Sequence, residues 1–354
     1  MSKCLFILLG LIVLFFIIVG IGRFINTHKF KIRSEAGVQK RDHITIGGIE
    51  QYIQIRGQDI SNPVIIVLHG GPGSNMAYYS YYWQADLEEA YTIVHWDQRG
   101  CGNTYYRNKE AEKPTLDLLL SDLDELVDYV RAEYGKENVV IMGHSWGTFL
   151  GGVYAGKHPE KVSVYVGISQ FTDVWQSGQY AAEEAVRLAN AASKTDEAKK
   201  IEEQFQLVIS SQELNMREFM KLRQLTGKYL PNGDNAQFSV SLFSPYMTFS
   251  DLRWFLSPIF SFDKLIKTQD KLYDTLSSES GLSMYDYTQF EVPVVIIAGD
   301  CDWITPYSIA RDYFDDISAP EKEFILIENA GHIPFMDKPG RFAEVLLNAL
   351  NGML

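Results

Sequence analysis

Val139-Val140-Ile141-Met142-Gly143-His144-Ser145-Trp146-Gly147 decides how this chain is read. Four apolar residues run into Gly-x-Ser-x-Gly, and small residues follow at Thr148, Gly151, Gly152, Ala155 and Gly156. The pattern predicts a buried strand ending at Met142 and a helix opening directly after Ser145. A serine on so tight a strand-to-helix turn takes a strained backbone conformation and presents its hydroxyl. Side chains at Gly143 and Gly147 would collide across that turn. The Trp146 N–H, at the helix start, is placed to donate to a developing oxyanion. Gly-x-Ser-x-Gly is short and also arises by chance, so its reading depends on partners elsewhere.

A serine hydroxyl is a poor nucleophile and needs a base that a carboxylate orients. On a sheet of this kind both partners belong in loops after later strands, in the order Ser, Asp, His. Asp302 lies three residues beyond the apolar run that ends at Gly299, with Asp300 as its rival closer to the strand end. His332 lies in Asn329-Ala330-Gly331-His332-Ile333-Pro334, after the last apolar run. The other six histidines fit worse. His69 and His144 are too local to Ser145, His95 is mid-strand, and His158 follows a helix. His28 and His43 fall in the first forty-odd residues. A second oxyanion donor is sought in His69-Gly70-Gly71-Pro72-Gly73, where the Gly71 N–H faces the elbow and glycine lets the backbone approach a substrate.

Outward from these motifs, strands alternate with helical patterns, which predicts an α/β class with a mostly parallel sheet. Residues 43–46 and 52–55 form a hairpin about Gly47-Gly48. Residues 64–68 are a strand buried on both faces. The tyrosines at 78, 79, 81 and 82 read as core on a helix, or as lining of a pocket mouth. Asp97 and Arg99 are read as braces of their loop. Residues 115–134 are an amphipathic helix stopped by Gly135. After Ser169 the strand pattern breaks, and residues 171–289 read as an inserted helical cap. The core therefore divides into 43–170 and 290–354. Thr305 is expected to cap a helix near Pro306.

Residues 5–21 carry no charge and read as a transmembrane helix within 1–22, with a cleaved signal segment as the rival. Residues 23–42 read as a basic tether. The localisation expected is a single-pass membrane anchor, with the side left open. The net charge of −13 over 354 residues argues against nucleic acid. Three cysteines make no disulfide framework. Neither metal-ligand spacing nor a Gly-rich phosphate loop is present, so no cofactor and no metal are expected.

Together His69-Gly70-Gly71-Pro72-Gly73, Asp97-Gln98-Arg99-Gly100-Cys101-Gly102 and Gly143-His144-Ser145-Trp146-Gly147 resemble the prolyl iminopeptidase family of α/β-hydrolases. Gly299-Asp300-Cys301-Asp302 resembles that family's acid loop, which selects Asp302. Gly331-His332 resembles its histidine loop. The resemblance implies an α/β-hydrolase fold and catalytic Ser145, Asp302 and His332. The expected oxyanion donors are Gly71 and Trp146. The function it implies is release of an N-terminal residue such as proline from short peptides or amides through an acyl-enzyme. In the family, cap glutamates hold the substrate's amino terminus; here Glu183, Glu184, Glu202, Glu203, Glu213 and Glu218 are available, but no family motif singles one out. The alternatives are a membrane-associated carboxylic-ester hydrolase and a non-catalytic binding protein on the same scaffold.

Overall fold

In the computed structural model the described residues are 3–210, 214–231, 237–257, 266–277 and 283–354. The first element is a long helix, α1 (Lys3–Lys29). The strands β1 (Val38–Ile46) and β2 (Ile49–Gly57) turn about Gly47 and Gly48, both at positive φ, as a two-residue hairpin loop demands. β3 (Val64–Leu68) and β4 (Thr92–Trp96) follow, then α2 (Gly102–Arg107) and α3 (Leu116–Tyr134). Thr115, read in the sequence as the first helical residue, instead caps α3 by accepting from Leu118 N–H, and Gly135 at φ 61° stops the helix, as the sequence predicts.

The elbow joins β5 (Val139–His144) to α4 (Trp146–Lys157), and β6 (Val162–Ile168) comes next. Between β6 and β7 (Val294–Gly299) lie α5 (Val174–Ala191), α6 (Thr195–Ile209), α7 (Met216–Thr226), α8 (Gln237–Leu242), α9 (Phe249–Phe255) and α10 (Asp270–Ser277). The chain closes with α11 (Tyr307–Asp316), β8 (Lys322–Ile327), α12 (Pro334–Asp337) and α13 (Pro339–Met353).

The eight strands form one sheet in the order β1-β2-β4-β3-β5-β6-β7-β8. β1 and β2 run antiparallel to their neighbours; from β4 to β8 every pair is parallel. Alternation of side chains sends Ile66, Leu68, Ile141 and Tyr165 to one face, against α3 and α4. Ile65, Val67, Val140 and Met142 go to the other, against α13 and the aromatic segment 76–91. Leu68 is in register with Gly143, and His144 with Ile168, so several strands end together on one edge. α5, α6 and α7 share a smaller core of their own, in which Ala181, Ala185, Ile201, Phe219 and Leu222 are buried.

Two expectations are corrected. Residues 23–29, read as the start of a basic tether over 23–42, continue α1, and residues 38–42 belong to β1. The helix continues because its polar side chains find acceptors on the domain. Arg23 Nε donates to Leu242 O at 3.0 Å, and Asn26 Nδ2 to Phe243 O at 3.0 Å. The tyrosine-rich segment is also not a helix. It is a run of turns with one short 3-10 turn at Ser80–Tyr82, and Tyr78, Tyr79 and Tyr81 are buried in the core.

Candidate active site

Ser145 sits at φ 53° and ψ −121°, a strained region for a residue with a Cβ. The flanking glycines are obligatory: a Cβ on Gly143 would overlap the Gly147 carbonyl, and one on Gly147 would overlap the Leu68 carbonyl. Ser145 N–H donates to Ile168 O at 3.0 Å, and Ser145 O accepts from Thr148 N at 2.8 Å. The turn is thus fixed from both sides. Trp146 is the first residue of α4, so its N–H has no acceptor within the helix.

The loop after β3 packs directly on this elbow. A Cβ on Gly70 would stand 3.0 Å from Ser145 Cβ. Gly71 adopts φ 115°, a conformation that only glycine takes easily. His69 anchors the loop: its Nδ1–H donates to Gly70 O at 2.9 Å, and its Nε2 accepts from Gln98 N–H at 3.2 Å. Burial holds this imidazole down at about 4, so it stays neutral and keeps that tautomer. Arg99 braces the neighbouring loop through a buried bidentate pair with Asp122 at 2.8 and 2.9 Å. From the cap side, Trp254 Nε1 donates to Gly73 O at 2.7 Å.

The two loops at the far strands bring Asp302 and His332 together. His332 Nδ1–H donates to Asp302 Oδ2 at 2.9 Å. Asp302 is held by Ile304 N–H at 2.7 Å, Thr305 N–H at 3.0 Å and the Thr305 hydroxyl at 2.6 Å. Burial works against its charge, but the His332 ring and these donors outweigh it and hold the carboxyl at about 2. Asp300 faces elsewhere and accepts from Ala330 N–H at 3.3 Å. The expected cap of the following helix is corrected: Pro306 occupies that position, and Thr305 is spent on Asp302.

With Nδ1 donating to Asp302, the other nitrogen of His332 is a free acceptor. Its backbone is clamped beside the elbow. His144 Nε2–H donates to His332 O at 2.8 Å, and Ser169 Oγ donates to the same oxygen at 3.0 Å. The rings of His144 and His332 are 5.0 Å apart. Burial, reinforced by the His332 ring, keeps His144 neutral at about 3. His144 is therefore a positioning residue, a role its place inside the elbow motif does not reveal. Ser145 Oγ and the His332 ring are not hydrogen-bonded to each other, and contacts of this type commonly tighten only when substrate binds.

Gly71, Ser145 and Trp146 line one cavity of about 300 Å³. Its remaining wall is largely apolar, with Phe171, Met216, Phe219, Tyr273 and Leu276. Arg223 reaches it from the cap, its guanidinium donating to Trp303 O at 3.0 Å and Ile304 O at 3.1 Å. Asp302 and His332 border a second cavity of about 390 Å³, and Ile304 lies on both. No Asp or Glu lines the first cavity among the described residues. Glu184, Glu203 and Glu218 pair with Arg187, Lys199 and Lys221 at the surface. Glu183 and Glu202 are exposed, and Glu213 lies outside the described residues. Among the described residues no group of His, Cys, Asp and Glu surrounds a metal position.

Beneath the Gly71 loop lies a buried acid pair. Asp97 accepts from Asn103 N–H at 2.8 Å, and Asp251 of α9 accepts from Asn75 and Asn103 side chains at 2.9 and 2.7 Å. Burial first, and the nearby Asp251 charge second, raise the Asp97 carboxyl to about 8 despite these donors. An unfolded aspartate titrates near ~4, so the folded chain holds the extra proton and loses stability as pH rises from about 4 through about 8. Asp97→Asn removes that titration. The melting temperature of the variant relative to the unaltered protein should therefore climb between pH 5 and pH 9. An offset that is the same at every pH would contradict the assignment.

Residues 63–339 match the family described as the alpha/beta hydrolase fold. The chain is 27% identical over 304 residues to the probable aminopeptidase YbaC of Bacillus subtilis (strain 168), covering 86% of this chain and 93% of that protein. It is 23% identical over 317 residues to a proline iminopeptidase of Lactobacillus delbrueckii subsp. bulgaricus, covering 86% and 95% respectively. Among solved structures, the proline iminopeptidase of Mycobacterium smegmatis aligns with a TM-score of 0.62 at 20% identity, over 89% of this chain and 98% of that one.

Proposed function

The chain belongs to the α/β-hydrolase-fold family, and we propose that on this scaffold it is a serine hydrolase working through an acyl-enzyme on Ser145. The observation that carries the proposal is the 2.9 Å contact from His332 Nδ1 to a carboxylate held ionised, with the His332 carbonyl tied to His144, the residue before Ser145. His332 Nε2 takes the Ser145 proton as Oγ attacks the substrate carbonyl carbon. The carbonyl π electrons move to oxygen, and the Gly71 and Trp146 N–H groups hold that oxyanion. His332 then gives the proton to the leaving group as the carbon–leaving-group bond breaks. In the second half water gives a proton to His332 as its oxygen attacks the ester carbon, and His332 returns that proton to Ser145 Oγ as the ester bond breaks and the acid product leaves. Asp302 stays ionised throughout and orients the imidazole.

The substrate proposed is a short peptide or amide that loses an N-terminal residue such as proline. Two observations support it: curated relatives carry aminopeptidase and proline iminopeptidase names, and the apolar cavity suits a compact apolar side chain. A specific observation favours a second reading, carboxylic-ester hydrolysis. Burying a protonated amine requires a carboxylate partner, and the described wall of the cavity offers Arg223 instead. Comparison of prolyl naphthylamide, its N-acylated analogue and a simple aryl ester decides between them. The peptidase reading expects the unblocked amide to be cleaved faster by about 10²-fold or more, since a buried carboxylate left unpaired costs several kcal/mol. Equal rates on blocked and unblocked amides, or turnover of the ester alone, would replace it with the esterase.

We also propose that α1 anchors the chain in a membrane as a single pass. Residues 5–29 form an apolar helix long enough to span, whose apolar residues are largely exposed.

A further inference from the structure

The end of α1 is seated on the cap segment 237–257, and the position of that seat along the helix sets how close the domain comes to the bilayer. The uncharged run from Leu5 to Gly22 has 18 residues. At 1.5 Å per residue it spans about 27 Å, close to a hydrocarbon core of about 30 Å. Arg23 is the first charge after it and therefore lies at the hydrocarbon–headgroup boundary. Its guanidinium donates to Leu242 O at 3.0 Å and to Met247 Sδ at 3.7 Å. Those two cap residues consequently lie at the same depth.

The contact is extensive. A Cβ on Gly22 would overlap the Phe243 ring. Asn26 donates to Phe243 O at 3.0 Å and to Tyr81 OH at 3.3 Å. Phe30 packs edge-on against Tyr81, and its carbonyl accepts from Arg56 Nη2 at 2.6 Å. A helix packed at Gly22, Arg23 and Asn26, and followed by a bonded Phe30, cannot act as a slack leash.

Beside this seat the cap leaves large apolar side chains mostly exposed, with only Phe255 beside Phe238 at 6.3 Å and Arg253 over Phe249 at 5.7 Å among their ring contacts. Phe238, one turn before Leu242, is 66% exposed, and Phe249, two residues after Met247, is 73% exposed. Phe24 and Ile25 of α1 are exposed at the same level. Exposed Phe side chains on an interfacial segment bury at the headgroup–acyl boundary. Arg23, Lys29, Lys31 and Arg33 gather there too, on a chain whose net charge is −13. Basic residues grouped at that level suit anionic lipid.

We propose that the 237–250 segment is a membrane-docking surface, with Phe238 and Phe249 inserted at the headgroup level of an anionic bilayer. The proposal rests on the anchor reading of α1. Its consequence reaches the active site, because α9 begins at Phe249. Asp251 of that helix binds Asn75 and Asn103, and Trp254 binds the Gly73 carbonyl. The docking surface is thus one short helix away from the loop that carries Gly71.

The test uses the full chain in vesicles of phosphatidylcholine and phosphatidylglycerol, with Cys4 and Cys301 replaced by serine. Nitroxide labels are placed by Phe238→Cys, Phe249→Cys and, as a reference on the exposed loop before β5, Glu137→Cys. All three positions are exposed, so the substitutions leave the core intact. Labels at 238 and 249 should lose accessibility to a water-soluble nickel chelate and gain accessibility to oxygen relative to 137. Protein that floats with the vesicles yet shows the same nickel accessibility at all three positions overturns the docking surface while keeping the anchor. Protein that fails to float overturns the anchor itself.

Discussion

Ser145→Ala and His332→Ala are each expected to lower kcat by about 10⁴- to 10⁶-fold while the protein stays folded. The two residues act as one unit, so the double variant should fall little further than either alone. Folding should survive because neither side chain supports the core. The elbow is held by backbone bonds from Ser145 N–H and to Ser145 O. When the His332 ring is lost, Asp302 keeps the Ile304 and Thr305 N–H groups and the Thr305 hydroxyl. Near-native circular dichroism and melting with activity gone is the pattern to check. An active Ser145→Ala protein would remove the nucleophile from the account.

Asp302→Asn carries the second large effect, about 10⁴-fold in kcat. An amide in place of Oδ2 would turn a donor toward Nδ1 and drive the imidazole to the tautomer that has no free Nε2 lone pair. Asp300→Asn should change kcat by less than about tenfold, since Asp300 bonds the Ala330 N–H and the Cys301 thiol and makes no bond to His332. If Asp300→Asn proves the more damaging of the two, the acid is misassigned. The carboxyl of Asp302 is held at about 2, so it is ionised over the whole working range. The acid limb of kcat/KM should therefore not come from Asp302, and it should persist unshifted in Asp300→Asn.

The parts of this molecule that were legible in its sequence are those whose physics is local. The elbow is one: an apolar run, two glycines that sterics require and a small-residue helix all lie within eighteen residues. The buried strands 64–68 and 294–299 are others, because burial on both faces leaves an unbroken apolar run. The order Ser, Asp, His is that of the family which the motifs resemble, and the structure brings Asp302 to His332. What escaped is tertiary. Whether residues 23–29 stay helical depends on carbonyls of residues 242 and 243, more than two hundred positions away. Thr305 has the composition of a helix cap, yet its hydroxyl goes to a carboxylate whose needs no local pattern announces. His144 and Ser169 gripping the His332 carbonyl, and Asp251 and Trp254 bracing the Gly71 loop, likewise join distant segments. The cap glutamates show the same limit: helical periodicity offers six candidates, and the five in described residues lie at the surface or in partly exposed pairs.

The central claim is that Ser145 is the nucleophile of an acyl-transfer site, and covalent labelling tests it most directly. A fluorophosphonate reacts only with a serine that a base has activated, and its phosphorus takes the place of the substrate carbonyl. Full-length protein in detergent, labelled and digested, should carry the adduct on the peptide that contains Ser145. Ser145→Ala and His332→Ala should carry none. Folded protein that takes no label, or that takes it on another serine and keeps it in Ser145→Ala, would contradict the account.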